Sequence, residues 1–494
     1  MKCDEARPHC SRCQKSGRNC AGYREPPVGS LSWSRLLRAR PSILPSSTAT
    51  SNDLRGLDFF RCVVAPALAG PAKRAFWTES VLQMAVQETS TCHAVLAISS
   101  LCEHFDNAGR QMCVASDRQG DAVKNYNQAL REIYLSKNLG SDVVLLASVL
   151  FTCIEFLRGN ISEAIDHCRH GTRMLNKYGG GPEISGLFRH LSIFPHFFGA
   201  TIADFPSLPE PDRLTSDFGN LAEAQEAMDW LMSRSVRLVR TFDLYRMDIS
   251  GDLGIPSDLS YTQLVLCQDL TAWMASFGRL RGALKLDANE EALARLLEMR
   301  WQVCHIWAEI TSCPDETACD AYVDQFTRII DLAEEEVASR SLLDPPKLAS
   351  FSFEMGMAPL LHFVVIKCRY LHLRLRALSQ LRLLAKPRES MWDSAIMYAQ
   401  GIRFIEYEHG IQLTATFPED TGEEYDLPSE MQRVRDSQLD ERRCVDVDSE
   451  GNPVIFQGIC LFVRSATEPR ICHVEDWIII RSEMKAVGLD PSWR

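Results

Sequence analysis

Four cysteines within the first twenty residues, Cys3, Cys10, Cys13 and Cys20, follow the spacing Cys-x6-Cys-x2-Cys-x6-Cys in a basic stretch that also holds Gly17 and Gly22. Thiolates on such short loops can converge on one tetrahedral zinc ion, and about twenty residues bury too little apolar surface to fold without a staple of that kind. Cysteines paired as disulfides, or simply free, are the plainer alternative. The spacing suits metal loops better, and the first residues do not read as a secretory signal peptide.

Other residues that could do chemistry are weaker candidates. His167 and His170, with Cys168 between them, sit three residues apart on one helix face, but no third ligand at helical spacing completes a site, so boundary histidines are expected there. His362 and His372 are read the same way. Gly179-Gly180-Gly181-Pro182 follows a helical stripe instead of opening one, which makes it a helix stop and not a phosphate cradle. Trp77, Trp301, Trp307 and Trp392 lie in apolar stripes and are expected to anchor the core. Lys367 with Arg369, Arg374, Arg376 and Arg382 is the densest basic cluster, read as a cationic helix face or as a set of contacts to a DNA backbone. There is no P-loop, no dinucleotide fingerprint, no H-E-x-x-H and no G-x-S-x-G, so no enzyme is expected.

The elements that must position these residues are mostly helical. At 494 residues and 46% hydrophobic content the chain can bury a large core. Its net charge is −12, yet residues 1–40 hold nine Lys/Arg against three Asp/Glu, a basic head (+6) on an acidic body (−18). A Pro/Ser-rich linker is expected over 24–52. Amphipathic stripes at three- and four-residue steps predict helices over 76–103, 121–135, 143–158, 162–178, 222–244, 293–310, 321–337 and 359–384. Strand signals around Ser449-Glu450-Gly451-Asn452 predict a β-hairpin from 443–448 and 453–463. Residues 416–450 are polar, with Glu419, Asp420, Glu423, Glu424 and Asp426 crowded together: a solvated loop, or an acidic activation segment. The expected organisation is mainly α: a zinc-stapled module (1–23), the linker (24–52), a helical regulatory domain (53–415), then an acidic loop and C-terminal segment (416–494). No stretch is long and apolar enough to span a membrane.

The run from Lys2-Cys3 through Pro8, Cys10-Ser11-Arg12-Cys13, Cys20 and Gly22-Tyr23 resembles the C-terminal two-thirds of the fungal zinc binuclear cluster. By that resemblance the four cysteines correspond to the third to sixth zinc ligands, Pro8 to the loop proline, and Lys2 to a position that touches a DNA phosphate. The family's leading Cys-x2-Cys pair, and the basic helix turn after it, have no counterpart in these residues. The expectation is that they are encoded upstream. A truncated regulator holding one zinc on four thiolates is the second reading.

The body is similar to the helical domain that follows the cluster in one branch of that family. The similarity covers most of 57–410, with Phe59-Phe60, Phe76-Trp77, Phe156-Leu157-Arg158-Gly159-Asn160 and Pro387-Arg388-Glu389-Ser390-Met391-Trp392 among its pieces. The resemblance implies a nuclear, zinc-dependent, sequence-specific regulator of RNA polymerase II genes. Its partners would be double-stranded DNA, the transcription machinery and, as a possibility the family allows, a second copy. A regulatory scaffold that acts through the helical body without binding DNA is the alternative.

Overall fold

The computed structural model describes residues 15, 50–69, 75–108, 117–136, 139–209, 217–247, 253–341, 351–413, 426–447, 453–465 and 470–481. Helix α1 (Ser51–Phe59) opens on a capping box, in which Thr50 Oγ1 accepts from Asp53 N while an Asp53 carboxylate oxygen accepts from Thr50 N at 2.8 Å. A π-helical turn (Phe60–Val64) carries it into α2 (Ala65–Leu68), and a second such turn (Phe76–Ser80) leads into α3 (Val81–Gln87). The first unit continues with α4 (Thr89–Ala108), α5 (Asp117–Leu135), α6 (Ser141–Arg158), α7 (Ile161–Tyr178), α8 (Pro182–Leu191) and α9 (Phe194–Phe197).

Helix α6 is the centre of this unit. All residues from Leu145 to Leu157 are buried, as expected for a helix that is apolar all round, and it packs against α4 and α7. It ends on Gly159 with φ 77°, a left-handed conformation that glycine adopts without strain. Helix α7 ends at Tyr178 with Gly179 at φ 72°, and Pro182 opens α8, so the Gly-Gly-Gly-Pro run is the expected stop. Gly171 of α7 serves packing instead, because a Cβ there would run into the Phe188 ring and only glycine lets α8 approach.

The second unit holds α10 (Leu221–Arg246), α11 (Ser257–Ala283), α12 (Ala288–Ile310), a 3-10 segment (Glu316–Tyr322), α13 (Val323–Ser341), α14 (Ala358–Lys367), α15 (Leu371–Leu384) and α16 (Ser394–His409). Side-chain caps at Asn220, Asp287 and Asp393 start three of these helices. Three two-residue strands, β1 (Phe351–Ser352), β2 (Arg388–Glu389) and β3 (Trp392–Asp393), form a clip in which β1 pairs parallel with β2 and β2 antiparallel with β3. Through that clip the first core receives side chains from far down the chain. Phe351, Phe353 and Met391 belong to it, with the Phe353 ring 5.0 Å from Trp77 and 5.6 Å from Phe156.

Beyond a 3-10 turn (Glu430–Gln432), β4 (Val434–Val447), β5 (Pro453–Arg464) and β6 (Ile471–Arg481) form an antiparallel meander. One face, with Ile459, Leu461, Val463, Ile478 and Ile480, packs on Ala395, Ala399 and Phe404 of α16.

The mainly helical class is as expected, and three details differ. The predicted hairpin is a three-stranded sheet, and β4 starts at Val434, inside the stretch read as a polar loop. The predicted helix over 76–103 is interrupted at Glu88, whose backbone is extended (φ −120°). The predicted helix over 359–384 is two helices broken at Cys368 to Tyr370, because Arg369 and Arg374 turn inward and bond Lys367 O and Val365 O at the end of α14. Those are carbonyls a helix C-terminus leaves open.

Candidate metal centre and the buried ionic hub

The predicted zinc ligands Cys3, Cys10, Cys13 and Cys20, and the predicted phosphate contact Lys2, lie outside the described residues, as do Glu419, Asp420, Glu423 and Glu424 of the acidic segment at 416–450. The donor set itself suits zinc: thiolate sulfurs are among its preferred ligands, and tetrahedral sites of Cys donors are its usual structural form. Among the described residues no group of three or more His, Cys, Asp or Glu is placed to hold a metal ion.

The described cysteines are free of disulfides, and burial works against reactivity in several of them. Desolvation pushes the Cys92 thiol up to about 11 and the Cys304 thiol to about 12. A thiol held protonated at neutral pH is packing, not a nucleophile.

His167 and His170 do not form a pair. His167 Nε2 meets the Tyr126 hydroxyl at 2.7 Å, half-buried, while His170 is exposed. His362 is half-buried, and desolvation, against bonds to the Met397 backbone and to Gln400, brings its imidazole down to about 4. His372 is exposed. Trp77 is fully buried, and Trp301, Trp307 and Trp392 pack against the second core as anchors.

The basic cluster on α14 and α15 is the clearest departure from expectation. Arg374 is 0% and Arg369 1% exposed, so neither lies on a cationic surface and neither can reach a DNA backbone. Glu408 of α16 takes Arg374 Nη1 at 2.6 Å and Arg369 Nη2 at 3.1 Å, and its Oε1 also accepts Val434 N at 2.7 Å. Glu316 of the 3-10 segment takes Lys367 Nζ at 2.8 Å, Arg369 Nη2 at 3.4 Å and Arg246 Nη1 at 3.3 Å. Arg376 lies nearer the surface and pairs with Glu334 and Asp331 of α13.

Charge balance in this hub is visible in its acids. Burial alone would raise the Glu316 carboxyl, but Lys367, Arg246 and Arg369 outweigh it and hold it down at about 2. Glu408 is likewise lowered, desolvation being overcome by Arg369 and Arg374. Both stay ionised at neutral pH, so the hub offers no proton to give or take; its role is to weld elements together.

The weld includes the sheet. Lys367 Nζ donates to Arg435 O at 2.9 Å and Arg369 Nη2 to Val434 O at 3.1 Å. Arg433 forms a two-pronged pair with Asp320, both bonds 2.7 Å.

A second buried group links α8, α10 and α12. Asp229 takes Arg300 Nη1 at 2.9 Å and lies 3.3 Å from His190 Nδ1, while Arg300 Nη2 donates to Met355 O at 2.6 Å. At the clip, Arg388 Nη1 donates to Phe156 O at the end of α6, and the Glu389 carboxylate accepts Gly356 N and Ala358 N at the start of α14. The Pro387–Trp392 piece thus ties the first unit to the second. Sequence reasoning missed Glu316 and Glu408 because neither has a local signature; they matter through arginines dozens of residues away.

Comparison with known families adds what the described geometry lacks. Residues 1–29 match the fungal Zn(2)-Cys(6) binuclear cluster domain and residues 56–203 the fungal specific transcription factor domain. The second span coincides with most of the first core. The aspercryptin biosynthesis cluster-specific transcription regulator of Emericella nidulans is 24% identical over 409 residues, 72% of this chain and 65% of the relative. The transcription regulator lscL of Purpureocillium lilacinum is 28% identical over 209 residues, 37% of this chain and 48% of the relative. A Zn(2)-C6 fungal-type transcription factor of Aspergillus fumigatus is 26% identical over 206 residues, 36% of this chain and 55% of the relative. The matches thus span from about half to just under two-thirds of these relatives' own length. No solved structure matches. Among the described residues no helix is long and apolar enough to cross a membrane. With the cluster domain matched over the cysteine run and the regulator domain over the first core, the chain is similar to the fungal Zn(2)-C6 transcription regulators in both parts.

Proposed function

We propose that this chain is a zinc-dependent, sequence-specific DNA-binding regulator of RNA polymerase II genes that works in the nucleus, with the first part of its zinc cluster not among these residues. Cys3, Cys10, Cys13 and Cys20 hold zinc, which folds the head; Lys2 contacts a phosphate; the helical body carries regulation and contacts to the transcription machinery. The observation that carries the reading is the cysteine spacing inside the matched span, set in the +6 stretch of an otherwise acidic chain. Zinc has a structural part here: bound by thiolates, it supplies folding free energy that twenty residues cannot find in a core. A basic head then meets the phosphate backbone, and the acidic body stays off it. The basic cluster of α14 and α15 is not part of that contact, since Arg369 and Arg374 are buried in ion pairs.

The test is zinc content by elemental analysis together with binding to a pool of randomised duplexes. With the complete six-cysteine cluster in place the protein is expected to hold zinc and to enrich a defined site, and Cys13→Ser is expected to lose both. Lys2→Gln should flatten the dependence of log K on log salt by about one unit, the share of one phosphate. A head with no affinity for zinc or duplex would overturn the reading.

A further inference from the structure

A cleft of about 610 Å³ opens on the first unit where the end of α7, the turn into α8 and the extended run Ser207–Pro209 meet. That is room for an organic small molecule, whose sites commonly measure about 300–1,000 Å³. Leu175, Leu208 and Pro209 give it an apolar wall, and Asn176, Ser185 and Arg189 supply polar atoms. The glycines of the helix stop shape it. A Cβ at Gly180 would come within 2.7 Å of the Leu175 side chain, whereas one at Gly179, which borders the cleft, meets nothing within 4 Å. The walls are fixed before anything enters: Asn176 Nδ2 donates to Ser207 O at 2.9 Å, Arg173 Nη2 to Asp204 O at 3.5 Å and Ser185 Oγ to Gly180 O at 3.4 Å.

Arg189 is the one charged residue among the described lining residues, and its side chain is 9% exposed. It pairs with Glu226 of α10, whose side chain is 46% exposed. A carboxylate that wet can swing into solvent and yield the guanidinium at little cost. A carboxylate brought by a ligand would instead sit in the drier cleft, where a two-pronged, charge-assisted bond to arginine is stronger. Helix α8 begins at this wall, so the positive end of its dipole favours the same negative group. Among the described lining residues there is no Asp or Glu to oppose it.

We infer that this cleft is a binding site for a small organic carboxylate with an apolar body. The carboxylate takes Arg189, and the body lies on Leu175, Leu208 and Pro209. A cation of the same shape would meet the buried guanidinium, and a neutral molecule would forgo the strongest contact on offer. A wholly polar anion would leave the leucine wall wet. The run Ser207–Pro209 lies beyond the matched span 56–203, so one wall of the site comes from sequence that the family match does not cover. A bound ligand would join α7, α8 and that run, and it would stabilise the folded unit by mass action. The inference goes beyond the proposed function and does not rest on it.

Isothermal titration calorimetry of the full chain with 4-phenylbutyrate, 4-phenylbutanamide and 4-phenylbutylamine tests it, since the three probes share a body and differ at one end. The acid is expected to bind one per chain with Kd below about 1 mM. The amide should bind at least about tenfold more weakly, and the amine should not bind. Ser207→Tyr, at an exposed position on the rim, should abolish binding by filling the cleft. Arg189→Leu should bring the acid down to the level of the amide. An unchanged far-ultraviolet spectrum should show that the variants fold; if Arg189→Leu folds poorly, Ser207→Tyr and the acid-to-amide ratio decide. The inference is overturned by an acid that shows no saturable binding up to about 5 mM, by an amide that binds as well as the acid, or by a Ser207→Tyr chain that binds like the parent. Zinc uptake and duplex binding are measured separately, so failure at the cleft leaves the proposed function standing, and the reverse holds too.

Discussion

Neutralising Glu408 puts the ionic hub under direct test. In Glu408→Gln the shape is kept, but two guanidinium groups at 2.6 and 3.1 Å face a neutral amide, and both arginines are buried. Arg369 keeps a second acid, Glu316 at 3.4 Å, whereas the carboxylate partner of Arg374 is Glu408. Removing one member of a buried pair costs about 3–5 kcal/mol, a large share of the roughly 5–15 kcal/mol that keeps a protein folded. The loss should not be uniform. Glu408 also accepts the N–H of Val434, the first residue of β4, so the sheet should loosen before the helical units do. Hydrogen exchange across 434–447 and 453–464 should then speed up by about a hundredfold or more, at 1.4 kcal/mol per factor of ten, with guanidinium unfolding reporting the global change. The triple replacement Arg369→Leu, Arg374→Met, Glu408→Leu should cost less than the single one, since it removes the stranded charges along with their partner. A Glu408→Gln protein within about 1 kcal/mol of the parent, with β4 protection unchanged, would refute the reasoning.

Two further outcomes follow from other parts of the fold. Stability should be greatest near neutrality and fall on acidification in two stages: His196, His362 and His409 have folded values of about 4, depressed by burial, so below about 6.5 the unfolded state takes up their protons first and stability drops between those values. Glu316, folded at about 2 against 4.5, contributes stability that is complete above 4.5 and is lost as pH falls toward 2; melting temperature against pH, with His362→Gln flattening part of the upper stage, checks both. Gly171→Ala should destabilise by about 1–3 kcal/mol, because the new Cβ would overlap the Phe188 ring and push α8 off α7; thermal unfolding of the variant gives the number.

What could be read without coordinates was whatever a short stretch decides by itself. The cysteine run was legible because metal ligation needs particular residue types at short spacing, and α6 because its apolar run is continuous. The glycine stop at Gly179 was legible for the same local reason. The basic cluster misled because Lys367, Arg369, Arg374 and Arg376 look like a solvated face until their partners are known. Glu316 lies 51 residues from Lys367 and Glu408 34 from Arg374, and no local pattern joins them. Strand β4 was mostly missed because Asp440, Glu441, Arg442 and Arg443 interrupt its alternation, the same place where the register with β5 shifts. Helix α11 hid for the opposite reason: the exposed Tyr261 and Leu264, across the helix from the buried Leu266 and Leu270, blur the one-sided pattern by which a surface helix is recognised.

That Phe353 and Met391 complete a cluster begun at Phe60 has a consequence during synthesis. A ribosome adding roughly 5–20 residues per second releases everything up to α9 well before the clip residues emerge, so for some tens of seconds Trp77 and Phe156 await rings that do not yet exist. The nascent half would spend that interval sticky and dependent on chaperones. A fragment cut after residue 203 would keep that unfinished surface permanently, which makes the matched span 56–203 a poor place to divide this polypeptide for expression.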